Sequence, residues 1–84
     1  MSPGRQQIFE LIVSHTREVL PELVRHDFGP EDRLENLGAN SVDRAEIVML
    51  VLESLRLRIP RVETIGPRNI GELTDLLDRK LRSA

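Results

Sequence analysis

The chain passes from a loop into a helix within the stretch Leu37-Gly38-Ala39-Asn40-Ser41-Val42-Asp43-Arg44-Ala45-Glu46-Ile47. Asn40 is a favourable N-cap, because its side-chain oxygen can accept a hydrogen bond from a backbone N–H of the first turn. Asp43 follows three residues later, where a negative charge suits the positive end of the helix dipole. The stretch therefore predicts a helix that begins at Ser41 and runs to about Arg56.

A first helix is predicted upstream by apolar residues that recur at three- and four-residue steps. Ser2 is a suitable N-cap and Pro3 suits the first helical position, so we expect this helix to begin near Ser2-Pro3. Pro21 marks a break or kink near its end. The face that it turns to the core is expected to consist of Ile8, Leu11, Ile12, His15 and Val19.

Residues 25–40 lack a helical period, and they contain the turn-forming segment Phe28-Gly29-Pro30 and Gly38. These features are typical of a loop. A loop of this length in a small domain is unusual, and it tends to be functional and attached to the rest of the domain. We expect Leu34 and Leu37 to insert between the helices and to hold the loop in place.

The C-terminal part of the chain predicts a short helix and then a longer one. Ile59-Pro60 ends the helical pattern of the second helix, a short helical turn is expected over residues 61–65, and Gly66-Pro67 breaks the chain. Asn69 followed by Glu72 is a helix-start signature and predicts the last helix. Its buried stripe is expected to contain Ile70, Leu73, Leu76, Leu77 and Leu81.

These elements together predict an all-α fold. No segment shows the alternation of a strand. We expect a small four-helix bundle of three main helices and one short helix, with a long loop between the first two helices. The 84 residues are enough for one small domain, which we take to span residues 1–84.

The composition excludes several classes of function. The net charge of -2 disfavours a nucleic-acid binder such as a helix-turn-helix protein, which usually shows a basic stripe. The absence of cysteine excludes disulfides, a thiolate nucleophile and a cysteine metal site. The first residues lack the apolar core of a signal peptide, and no apolar run is long enough to span a bilayer. We therefore expect a cytoplasmic monomer that does not contact a membrane.

Residues that could form a catalytic or metal site are sparse. His15 falls on the core side of the first helix and is expected to be structural, whereas His26 is expected to be solvated. Solvated positions are also expected for the acids Glu31, Asp32, Asp75 and Asp78. Two separate histidines and scattered carboxylates predict neither a catalytic set nor a metal site.

The second helix has apolar residues on two opposite faces when it is plotted at 100° per residue. The predicted core face contains Ile47, Val48, Val51 and Leu55. The other face contains Val42, Ala45 and Met49, with Leu52 beside them and Glu46 and Glu53 at its flanks. A helix of so small a domain is not expected to be buried all round, so the second face is predicted to be an exposed docking surface. The alternative is that this face packs beneath the long loop.

Ser41 has two interpretations. A serine at a helix start is usually only a cap. Here Asn40 already supplies the capping side chain, so the Ser41 hydroxyl is not needed as a cap and is expected to be free. A phosphate attached to that hydroxyl would lie beside the backbone N–H groups of the helix N-terminus, which favour anions.

The stretch from Gly38 to Val42 resembles the Gly-x-Asp-Ser-Leu motif that opens the second helix of acyl carrier proteins. The similarity extends over residues 33–37, 46–49 and 59–60 and through the last helix. It implies a 4'-phosphopantetheine arm that a phosphopantetheinyl transferase attaches to Ser41, and a protein that is itself non-catalytic. Asn40 departs from the family's usual Asp, which removes a charge that the transferase could pair with.

Residues 37–46 resemble in particular the free-standing donor carriers of polyketide β-branching cassettes. This likeness implies an acetyl or malonyl thioester, an enzyme related to 3-hydroxy-3-methylglutaryl (HMG) synthase as acceptor of the acetyl group, and an acyltransferase and a decarboxylating ketosynthase-like enzyme as further partners. The partner surface is expected to consist of Val42, Asp43, Arg44, Ala45, Glu46, Met49 and Glu53. Two alternatives stay open, namely a peptidyl carrier protein and a helical interaction module without a prosthetic group.

Overall fold

The computed structural model describes residues 3–83, and it consists of helices and turns without a strand in that range. Its elements in chain order are α1 (Arg5–Val19), a 3-10 turn (Pro21–Leu23), a second 3-10 turn (Leu34–Leu37), α2 (Ser41–Leu55), a third 3-10 turn (Arg61–Thr64) and α3 (Ile70–Ser83). The predicted all-α fold of three main helices and one short helix is confirmed. The short helix is the third 3-10 turn.

α1 begins later than the sequence predicted. Gly4 is its N-cap, and the Gly4 N–H donates a hydrogen bond to Gln7 Oε1 at 2.9 Å. Because Gln7 satisfies this donor, the helix starts at Arg5. The prediction that Pro3 occupies the first helical position is wrong, since Pro3 precedes the cap, and the predicted cap Ser2 lies outside the described residues.

α2 begins where the sequence predicted. The Asn40 side chain accepts a hydrogen bond from the Asp43 N–H at 2.8 Å. The Asp43 carboxylate in turn accepts one from the Asn40 N–H at 3.1 Å. This reciprocal capping box satisfies two donors at the loop–helix junction and sets Ser41 as the first helical residue.

The core is formed by aliphatic side chains of all three helices and of the loops between them. α1 packs against both α2 and α3. The predicted core face of α2 is confirmed at Ile47 and Val51, which are fully buried, and Val48 and Leu55 pack at its edge. The buried cluster comprises Ile8, Ile12, Leu20, Leu34, Ala39, Ile47, Val51, Leu52, Leu57, Ile70, Leu73 and Leu77.

A Schellman motif at the end of α2 turns Leu52 into the core. Arg56 adopts a left-handed conformation with φ 52°, and the Leu57 N–H donates a hydrogen bond to the Leu52 carbonyl at 3.0 Å. In a Schellman motif the residues joined by this hydrogen bond, here Leu52 and Leu57, often make a hydrophobic contact. Leu52 and Leu57 are accordingly both buried, so the predicted position of Leu52 beside the exposed face is wrong.

A second motif of this kind closes the long loop. Gly38 has φ 102°, and the Ala39 N–H donates to the Leu34 carbonyl at 3.1 Å. The chain reversal at Gly38 places Ala39 against Leu34, and both are buried. Leu34 therefore holds the loop as predicted. Leu37 is only partly buried and lies outside the core cluster, so its predicted insertion between the helices is wrong.

Leu34→Ala is expected to lower the free energy of unfolding by about 2–5 kcal/mol, because it removes a buried leucine side chain. Leu37→Ala is the matched control, and its cost should be clearly smaller since Leu37 is already partly exposed. Urea unfolding followed by circular dichroism measures both. Equal losses for the two variants would contradict the assignment of Leu34 as the residue that holds the loop.

The long loop is also hydrogen-bonded to the start of α3. The Ile70 N–H donates to the Asp32 carbonyl at 2.9 Å, and the Gly71 N–H donates to the Pro30 carbonyl at 2.7 Å. A Cβ added to Gly71 would lie 2.9 Å from Pro30 Cβ, so this close approach requires glycine. Loop carbonyls thus satisfy backbone donors that the helix start would leave unpaired.

α3 begins with the predicted cap. The Asn69 side chain accepts a hydrogen bond from the Glu72 N–H at 2.8 Å. Ile70, Leu73 and Leu77 are buried, as expected, whereas Leu76 and Leu81 are only partly buried.

His26 and Asp32 form a bonded pair within the long loop. Asp32 Oδ2 lies 3.0 Å from His26 Nε2 and accepts a hydrogen bond from the Gly29 N–H at 2.9 Å. The His26 ring meets Phe28 edge-on, and the Arg17 guanidinium lies 5.1 Å from the centre of the Phe28 ring. The prediction that His26 and Asp32 are solvated is therefore wrong, because the loop folds over α1 and brings them together.

The Gly29 N–H, and secondarily His26, hold the pKa of the Asp32 carboxyl below its ordinary value of 3.8. A carboxyl whose pKa is lower in the folded state stabilises the fold above its unfolded pKa, and this stabilisation is lost as the pH falls through the folded pKa. We therefore expect the difference in melting temperature between the wild type and Asp32→Asn to be largest at neutral pH and to shrink below about pH 4. Melting curves between pH 3 and pH 7 measure it, and a gap that does not change with pH would contradict the role of this carboxylate.

Three of the remaining titratable residues have structural partners, whereas Glu31 is exposed, as predicted. His15 Nε2 lies 2.7 Å from Ser54 Oγ and joins α1 to α2, which confirms its structural role. Asp78 is buried and pairs with Arg82 at 2.9 Å, so the prediction that it is solvated is wrong. Asp75, also predicted to be solvated, pairs with Arg5 across α1 and α3.

Candidate functional site

Ser41 is the first residue of α2, and its side chain is exposed. The capping box of Asn40 and Asp43 uses neither atom of the Ser41 hydroxyl. Within residues 3–83 this hydroxyl makes no hydrogen bond, so it is available for a covalent modification.

Ser41 opens onto a groove of about 690 Å³ between α2 and the segment that leads into α3. On the α2 side the groove is lined by Ser41, Arg44, Ala45 and Val48, which recur at three- and four-residue steps and so share one helical face. On the other side it is lined by Arg61, Val62, Thr64, Ile65, Pro67, Arg68, Asn69, Ile70 and Leu73, and Leu34 and Glu35 of the long loop also line it. The lining is mostly apolar, and its charged residues are Glu35 and the three arginines Arg44, Arg61 and Arg68.

Arg44 lies on this groove side of α2. Its Nη1 donates a hydrogen bond to the Ala39 carbonyl at 2.7 Å, and its side chain is partly buried. Arg44 thereby ties the end of the long loop to the first turn of α2. Arg44, a residue of the predicted partner surface, thus lies at the groove edge of that surface.

The outer face of α2 carries exposed apolar side chains, as predicted. Val42 is 72% exposed and Met49 is 46% exposed. Glu46 and Glu53 are exposed beside them. The alternative that this face packs beneath the long loop does not fit the exposure of Val42 and Met49. Ala45 is partly buried at the edge of the groove.

The opposite wall of the groove adds an apolar pair that the sequence analysis missed. Val62 is 70% exposed and Ile65 is 76% exposed. They are three residues apart on one short helical turn between Pro60 and Gly66-Pro67, so their common face could have been inferred from spacing alone. Exposed apolar residues therefore flank Ser41 and its groove on both sides.

Metal-binding and membrane-spanning features are not found in the part of the chain that the structure describes. No group of three or more metal-ligating side chains comes together there. None of the helices there has the length and apolar character needed to cross a bilayer.

A comparison with known proteins decides the family. The chain is 56% identical over 80 residues to the polyketide biosynthesis acyl-carrier-protein AcpK of Bacillus subtilis (strain 168), and the match covers 95% of this chain and 98% of that protein. The chain belongs to the acyl carrier protein family. Acyl carrier proteins generally carry a phosphopantetheine arm. No protein-family model matches the chain.

The fold of this acyl carrier protein is similar to that of a solved relative. A chain in the crystal structure of the curacin biosynthetic pathway HMG synthase in complex with acetyl donor-ACP superposes with a TM-score of 0.88 at 47% identity. The superposition covers 92% of the present chain and 99% of the other.

Proposed function

We propose that this acyl carrier protein bears 4'-phosphopantetheine on Ser41, attached by a separate phosphopantetheinyl transferase. The observation that carries the proposal is the exposed Ser41 hydroxyl, which is not engaged by the capping box and faces a groove. The resemblance of residues 38–42 to the family's attachment motif supports the same residue.

The role of the protein's own residues is to hold the attachment point in a fixed position for the partner enzymes. The arm supplies a thiol that holds an acyl group as a thioester. The capping box fixes Ser41 at the end of a rigid helix, so every partner meets the attachment point in the same orientation. Tethering keeps the acyl group at a high effective concentration near each enzyme that binds the carrier. We assign no catalytic residue to this chain.

We further propose that the cargo is an acetyl group for an HMG-synthase-like enzyme in polyketide β-branching. Support comes from the two relatives, one named for polyketide biosynthesis and one described as an acetyl donor in complex with an HMG synthase. In this scheme an acyltransferase loads a malonyl group, and a ketosynthase-like enzyme decarboxylates it on the carrier.

The proposed docking surface is the outer face of α2. Val42 and Met49 form its exposed apolar centre, and Ala45 lies at its groove edge. Asp43, Glu46 and Glu53 supply its charged rim, and Arg44 adds a positive charge at its groove edge. An apolar centre with a charged rim is typical of protein interfaces, and its small size suits a carrier that must leave each enzyme again.

Intact mass measurement tests the attachment. The protein is incubated with coenzyme A and a broad-specificity phosphopantetheinyl transferase, and we expect a mass gain of one phosphopantetheine per chain. No gain would instead favour a helical interaction module without a prosthetic group. Loading with acetyl-coenzyme A, followed by incubation with an HMG synthase and an acceptor carrier, then tests whether the acetyl group is transferred.

A further inference from the structure

Arg44 lies beside the attachment point in a fixed orientation. It follows Ser41 by three residues on the same face of α2, where side chains are neighbours with Cβ atoms about 5–6 Å apart. Both residues line the groove. One N–H of the Arg44 guanidinium is bonded to the Ala39 carbonyl at 2.7 Å, and a guanidinium has five donors, so the others stay available on the groove side.

Two carboxylates near Ser41 would repel an attached phosphate, so a neighbouring cation would stabilise it. The Asp43 carboxylate lies in the same first turn of α2, and Glu35, which is exposed, also lines the groove. A phosphodiester on Ser41 would be repelled by both. Among the arginines at the groove, Arg61 and Arg68 belong to the opposite wall, whereas Arg44 lies on the helix that bears the serine.

We propose that Arg44 is a positioning residue that binds the phosphodiester on Ser41 and directs the arm along the groove. The proposal rests on the proposed attachment of phosphopantetheine to Ser41. Arginine suits this role because its planar guanidinium can donate two parallel hydrogen bonds to phosphate oxygens. The bond to Ala39 holds the side chain in place beforehand, which lowers the entropy lost on binding. The arm then leaves Ser41 on the groove side, and the outer face stays open for a partner.

A thermodynamic cycle tests the contact separately from the structural role of Arg44. Melting temperatures are measured with and without the arm for the wild type, Arg44→Gln and Arg44→Lys, after mass spectrometry has shown the arm on each. The bond to Ala39 is lost in both forms of Arg44→Gln, so its effect cancels in the difference between them. For each protein, the melting temperature without the arm is subtracted from that with the arm. We expect this difference to be higher in the wild type than in Arg44→Gln by about 4 °C or more. Arg44→Lys should recover part of this difference because it keeps the charge.

The control variant is Arg58→Gln, since Arg58 is exposed, makes no ion pair within residues 3–83 and does not line the groove. It removes the same charge and should behave as the wild type does. The phosphorus NMR resonance of the arm gives a second measurement, and it should shift in both Arg44 variants but not in Arg58→Gln. Equal changes in melting temperature and an unshifted resonance would overturn the proposal. Failure of the mass gain in the wild type would instead contradict the attachment to Ser41.

Discussion

Ser41→Ala should abolish the mass gain that coenzyme A and a phosphopantetheinyl transferase produce in the wild type. The substitution removes the proposed acceptor oxygen and nothing that the fold uses, because Asn40 caps α2 and the Ser41 hydroxyl makes no hydrogen bond within residues 3–83. Alanine also has a high helix propensity. The helical circular dichroism and the melting temperature should therefore stay close to those of the wild type.

Ser14→Ala is the matched control for this experiment. Ser14 is an exposed serine in the middle of α1, distant in sequence from the capped start of α2. Its variant should gain the same mass as the wild type. Modification that persists in Ser41→Ala would place the arm on another residue and remove the basis of the proposed function.

Met49→Glu should reduce transfer of the acetyl group to an HMG-synthase-like enzyme by about tenfold or more. Docking on the outer face of α2 would bury the new carboxylate without a partner, and a cost of about 1.4 kcal/mol already corresponds to a tenfold loss. The loaded wild type and variant are compared in the same transfer assay. Arm attachment and melting temperature should change little, since Met49 is 46% exposed and lies outside the core.

Val24→Glu provides the control, because Val24 is another exposed aliphatic residue but lies outside α2. It should leave transfer unchanged. If Met49→Glu transfers normally, the outer face of α2 is not the docking surface. A partner held mainly by charge would respond instead to reversal of Glu46, and its binding would weaken with added salt.

The sequence alone determined the features that depend on neighbouring residues. The start of α2 follows from Asn40 as an N-cap and Asp43 in the first turn, and the structure shows that these two residues cap each other. The start of α3 follows from Asn69 and Glu72, which are also close in sequence, and the Asn69 side chain accepts a hydrogen bond from the Glu72 N–H. The exposed face with Val42 and Met49 also followed from helical periodicity. The resemblance of residues 38–42 to the family's attachment motif is visible in the sequence because these residues are contiguous.

Only the tertiary structure decided which side chains the loops bury and where the groove lies. Leu34, Ala39 and Leu52 are buried because two left-handed residues reverse the chain and bring residues five apart into contact. The sequence marks one of these reversals with Gly38, but the other occurs at Arg56, a residue that seldom adopts this conformation.

The orientation of the Arg44 side chain depends on the Ala39 carbonyl at the end of the long loop, and the opposite wall of the groove comes from residues 61–73. Helical periodicity places Arg44 near Ser41, but it carries no information about segments that reach the same space from elsewhere in the chain. The groove beside Ser41 therefore arises from packing between distant segments, whereas the position of Ser41 at the start of α2 is encoded locally.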